Sequence, residues 1–139
     1  IQIKNEGDDI NEKSDIILIN YYGSVNKYLN KINQIFIGKS AIKKFQNNGG
    51  QNPIDAAKNG CHIYHGPYVY NFKDIYQLLD EKGFAEKFEG VENLVDKLKN
   101  NFNKNLKIDT EKVKEINNFS NKIFENVILE YNKFIKWKF

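Results

Sequence analysis

The chain has 139 residues, 40% hydrophobic and 14% aromatic, with 21 lysines, no arginine, one cysteine and no methionine. That length suits one domain with a real core; the lone Cys61 excludes an internal disulfide framework or a cysteine zinc site, and no apolar run approaches the ~18 residues that cross a bilayer. The net charge of +3 is spread evenly, and without arginine the bidentate fork for guanine edges and phosphates is missing, so a nucleic-acid partner is not expected. Translation normally starts at Met, so a chain opening at Ile1 is expected to be an excised domain or a processed product.

The first regular element is the run Ile16-Ile17-Leu18-Ile19, ended by Asn20 and the Tyr22-Gly23 turn. Its continuous apolar character predicts a strand buried on both faces, as in a parallel sheet. Ser24 is placed to cap a short helix over 25–31 with Val25, Tyr28 and Leu29 on one side. A second strand, Gln34-Ile35-Phe36-Ile37, stops at Gly38, and a polar loop then leads to Asn47-Asn48-Gly49-Gly50-Gln51-Asn52-Pro53. Asn52 as N-cap and Pro53 in the first turn predict a helix over 53–59, stopped by Gly60.

Cys61-His62-Ile63-Tyr64-His65 reads as a third strand, broken by Gly66-Pro67. Beyond Asn71 a helix carries Phe72, Ile75, Tyr76, Leu78 and Leu79 to Gly83. A short strand over 84–88 follows, then a helix over 91–98 with Leu94, Val95 and Leu98 inward, and a polar loop over 100–105. From Thr110, Val113, Ile116, Ile123, Val127 and Phe134 recur at steps of three and four, with Phe119, Phe124, Ile128, Tyr131 and Ile135 widening the stripe. This predicts an amphipathic helix of six or seven turns. Strands alternating with helices imply an α/β fold over 1–139: a Rossmann-like parallel sheet flanked by helices, with a long C-terminal helix.

Open parallel sheets receive ligands beyond the carboxyl ends of their strands. The segments that fall there are Tyr21-Tyr22-Gly23-Ser24, Gly38-Lys39-Ser40 and Gly49-Gly50-Gln51-Asn52-Pro53. Gly49 and Gly50 allow close backbone approach, and a helix starting at Pro53 offers unpaired N–H groups suited to phosphate. Lys39 and Ser40 supply a charge and a hydroxyl; Asp55 could accept hydrogen bonds from a ribose diol. The same features equally describe a turn, a helix cap and a dipole-compensating acid. His62 and His65 point to opposite faces of their strand, which argues against a shared metal. Cys61 reads as a small buried hydrophobe.

Gly49-Gly50-Gln51-Asn52-Pro53-Ile54-Asp55-Ala56-Ala57, then Gly60, then His65-Gly66-Pro67-Tyr68 and Asn71-Phe72 together resemble the 3-deoxy-D-manno-octulosonic acid (Kdo) transferases. That family's pattern runs Gly-Gly-His-Asn-Pro-Leu-Glu-Ala/Pro-Ala, a Gly, Phe-Gly-Pro-His and Asn-Phe. Tyr22-Gly23 and Phe36-Ile37-Gly38-Lys39-Ser40 are similar to two earlier family segments, so the likeness covers Ile16 to about Leu79. It implies the C-terminal, donor-binding half of a two-domain GT-B glycosyltransferase, with that half's first strand and helix expected to be missing. Such an enzyme transfers Kdo from CMP-Kdo to a lipid A precursor in bacterial lipopolysaccharide synthesis, as a cytoplasmic protein peripheral to the inner membrane.

The resemblance implies no cofactor or metal and places the general base, a Glu, on the absent N-terminal domain, so no catalytic residue is assigned here. The substrate-binding residues it implies are Gly38, Lys39, Ser40, Gly49, Gly50, Gln51, Asn52, Asp55, Gly66, Pro67 and Asn71. Gln51, Asp55 and Tyr68 depart from the family's His, Glu and His, which bears on donor identity. Two alternatives stay open: another GT-B glycosyltransferase with a different sugar nucleotide, and a non-catalytic α/β interaction module. The aromatic and lysine-rich end, from Tyr131 to Phe139, fits packing on its own or the partner domain, or contact with an anionic membrane.

Overall fold

Helix stops that lead straight into strands set the pattern of this chain. The computed structural model describes residues 1–11, 13–102, 104, 106 and 110–138, with side chains as far as Ile135. Strand β1 (Gln2–Lys4) pairs in parallel with β2 (Ile17–Ile19), Gln2 opposite Ile17 and Lys4 opposite Ile19. Helix α1 (Val25–Leu29) leads into a second parallel sheet of β3 (Gln34–Ile37), β4 (His62–His65) and β5 (Ala85–Lys87), in that order. Its register aligns Ile35, Ile63 and Ala85.

The crossovers are α2 (Ile54–Lys58), between β3 and β4, and α3 (Lys73–Glu81), between β4 and β5. Both end alike. Gly60 N–H donates to Ala57 O at 3.0 Å and Cys61 N–H to Ala56 O at 3.0 Å; Gly83 N–H donates to Asp80 O at 3.1 Å and Phe84 N–H to Leu79 O at 2.8 Å. Gly60 (φ 74°) and Gly83 (φ 75°) occupy the left-handed region that this paired closure requires. Each stop turns the chain directly into the next strand, which is how a short βαβ unit returns parallel.

The core sits between β4 and the helices. Leu29, Ala57, Cys61, Ile63, Tyr76, Leu79, Phe84 and Ile116 are all buried. Helix α4 (Gly90–Asn101) follows β5, and α5 (Thr110–Lys138) lays its first two turns, Val113 and Ile116, on this core beside α2. A Lys82–Glu115 ion pair at 2.9 Å fastens the same turns to the end of α3.

The structure is therefore a mixed α/β arrangement of small parallel sheets flanked by helices, with a long C-terminal helix. It departs from expectation in several places. β1 has no counterpart in the sequence reading, because a three-residue strand carries too little periodicity. β2 is not buried on both faces: Ile16 and Leu18 are each 57% exposed, since β1 is its neighbour in a two-stranded sheet. Ser24 makes no side-chain capping bond. Val25 and Val95 face solvent. The apolar stripe of α5 is exposed from residue 121 through Ile135. The loop expected over 100–105 instead begins as the end of α4, with residues 103 and 105 outside the described residues, as are the side chains of 136–139. No helix among the described residues is long and apolar enough to cross a membrane.

Candidate functional site

At the carboxyl ends of β3 and β4 three segments distant in sequence interlock: 38–40, 49–50 and 66–68. Ser40 is completely buried. Its hydroxyl donates to Ile37 O and accepts from Gly66 N–H at 2.8 Å, while Tyr68 N–H donates to Ser40 O at 2.9 Å. Asn71 N–H reaches Gly49 O at 3.4 Å.

The glycines make this contact possible. A Cβ on Gly49 would lie 2.5 Å from both Phe45 O and Tyr68 O, and one on Gly66 would lie 2.5 Å from Ser40 O. Gly50 adopts φ 84° with Val69 Cα 3.2 Å from where its Cβ would stand. Both glycines of the 49–50 pair are buried, so their lack of a side chain is used to admit neighbouring protein backbone. Lys39 lays its ammonium 5.6 Å over the Phe45 ring, a cation–π contact.

The remaining motif residues divide between hollows on either side of this knot. Gln51, Asn52 and Asp55, all exposed, border a cavity of about 280 Å³ with Val25, Asn26, Phe36 and Ala56. Asn52 Oδ1 accepts the Ile54 N–H at 3.1 Å in a local turn, but Asn52 is not the expected N-cap: that position falls to Pro53, which makes no side-chain capping bond, and α2 begins at Ile54. Gly66 and Pro67 border a larger cavity of about 430 Å³ with Tyr68, Lys73, Tyr76, Asp80 and Lys87. Asn71 lies in a third hollow along the start of α3. Gly38 begins the tight turn that leaves β3.

Tyr76 links the two sides. Its hydroxyl donates to Gln51 O at 2.9 Å, and burial pushes its phenol well above the ordinary tyrosine value. His65 and Asp80, which the sequence reading did not connect, also meet here: Nε2 of His65 is 3.0 Å from Asp80 Oδ1. The sequence signal for that pair was a histidine directly before Gly66-Pro67; its partner lies one helix later and carries no motif.

Cys61 and His62 lie at the amino end of β4, away from this site. Cys61 is buried with Sγ 3.3 Å from Leu29 O, and burial pushes its thiol up. His62 is on the opposite face of β4 from His65, 3.8 Å from Glu86 Oε2, which is too long for a hydrogen bond. Burial lowers its imidazole value, partly offset by the Glu86 charge. No protein-family model matches the chain, and no curated protein matches it either.

Proposed function

We propose that this chain is the donor-binding unit of a glycosyltransferase resembling the Kdo transferases, with the finer architecture of a Rossmann-like GT-B C-terminal half. The observation that carries the reading is the convergence of the 38–40, 49–52 and 66–68 segments at the carboxyl ends of parallel strands. These are the segments whose residues resemble the family's motifs, and open parallel sheets take ligands at that end.

In this reading CMP-Kdo lies across the knot. Asp55, exposed at the rim of the 280 Å³ cavity, accepts hydrogen bonds from the ribose. Backbone N–H groups of the exposed Gln51 and Asn52, with the Lys39 ammonium, face the phosphate, because a chain without arginine has no guanidinium to use and Gly49 and Gly50 are closed off by protein backbone. Stabilising the departing CMP, where charge grows in the transition state, is this unit's contribution to catalysis. Ser40 acts one step removed: its buried hydroxyl holds the 66–68 segment in place. Acceptor activation on the lipid A precursor belongs to a second, N-terminal domain, and the assembled enzyme works at the cytoplasmic face of the inner membrane.

Titration of the purified chain with CMP, UDP and GDP, followed by calorimetry or NMR, tests this. Preference for CMP supports it. Preference for UDP or GDP shifts the reading to another sugar nucleotide, and silence towards all three favours an interaction module. Unaided transfer of Kdo by this chain would refute the division of labour between two domains.

A further inference from the structure

His65 ends β4 with 2% of its surface exposed, and the donor reading gives it no role. Its Nδ1 lies 2.9 Å from Gly66 O, and its Nε2 lies 3.0 and 3.2 Å from the two carboxylate oxygens of Asp80 on α3. A carbonyl oxygen can only accept, and so can an ionised carboxylate. Both ring nitrogens therefore face acceptors, and only an imidazolium, with an N–H on each, satisfies both. A neutral ring has one N–H to give. The charge-assisted bond to Asp80 is the stronger of the two, so the neutral ring keeps Asp80 and leaves Gly66 O without its donor.

The neighbours do not change this. On α3 the Tyr76 ring is 4.5 Å away, with its hydroxyl engaged by Gln51 O. Lys73 and Glu81 border the same cavity. Across the sheet His65 is paired with apolar Ile37 on β3 and with Lys87 on β5, whose ammonium bonds Glu89 at 2.9 Å.

What the ring holds is the 66–68 segment, whose own N–H groups at Gly66 and Tyr68 bond Ser40. We propose that His65 positions this segment as a protonated clasp between Asp80 and the Gly66 carbonyl, holding it when the ring carries two protons and releasing it when the ring carries one. Asp80→Asn separates this from a merely structural contact. The amide it introduces can donate to Nε2, so a neutral ring keeps its Nδ1–H on Gly66 O and the clasp no longer needs the second proton.

Long-range proton–nitrogen NMR of the ring, with amide exchange of Gly66 and Tyr68, would be recorded over about pH 5–9. In the unaltered chain the ring is expected to show two N–H groups at the acid end and the Nε2–H form at the alkaline end. Amide protection should fall roughly tenfold through the same transition. D80N is expected to hold the neutral Nδ1–H form and flat protection over the range in which the unaltered ring changes. A ring already neutral at the acid end, or protection that ignores the ring's transition, would overturn the proposal, and the unaltered chain alone decides this if D80N folds poorly. The link to nucleotide rests on the donor reading: CMP should bind more weakly above the transition. Failure to bind CMP at any pH counts against that reading alone, because ring state and protection are measured without nucleotide.

Discussion

At Gly66 an added methyl group would press on Ser40 O and on Ala41 Cα, 2.5 and 2.7 Å away, and both are backbone that cannot rotate aside. Gly66→Ala is expected to cost about 1–3 kcal/mol of stability, as overpacking does, measured by urea unfolding. Ser40→Ala should cost a similar amount, about 1–3 kcal/mol, because it strands the buried Gly66 N–H and Ile37 O. Asp55 behaves oppositely. It is exposed, so Asp55→Asn should change stability by no more than about 0.5 kcal/mol; if it holds the ribose, CMP affinity drops roughly tenfold. These residues were legible as a Gly-rich motif. What fills the space beside Gly49 was not, since Phe45 O and Tyr68 O come from two different loops.

Among the elements, α5 divides into a docked start and an outer length. Ile116 is fully buried while Ile123 is 46% exposed, although both lie on one apolar stripe. Ile116→Ala should therefore destabilise by about 2–5 kcal/mol, and Ile123→Ala by less than about 1 kcal/mol; thermal unfolding of the two variants compares them directly. Periodicity reveals that a helix has an apolar face but not how much of that face is covered. β2 makes the same point: Ile17-Leu18-Ile19 is a strand as its composition demands, yet its burial depends on neighbours that its own residues do not specify. The helix stops at Gly60 and Gly83 were legible because the closure is local, needing only a left-handed residue in the right place.

For the molecule as a whole, the half-buried His62 on β4 and the buried Cys61 just before it act on opposite flanks of the pH response. His62 resists protonation when folded, so the unfolded chain binds the extra proton first. Its contribution is present above the ordinary imidazole value and is lost as pH falls through the lowered folded value. Cys61 has a raised value when folded; its contribution is complete below the ordinary thiol value and is lost as pH rises through the raised one. Both groups should thus lower the melting temperature on their own flank, with His62→Gln lessening the acid-side fall and Cys61→Ala lessening the alkaline-side fall. Iodoacetamide should label Cys61 slowly in the native protein and rapidly in urea.

From β2 onward the order of strands and helices, the parallel class of sheet and the C-terminal ends of α2 and α3 follow from the sequence by itself, because each rests on periodicity or on a bond spanning a few residues. Tertiary structure decided the rest: the interlock of 38–40 with 49–50 and 66–68, the meeting of His65 with Asp80, and the exposure of β2 and outer α5. Those features depend on which surfaces the chain brings together across long separations, and no single segment encodes its distant neighbour.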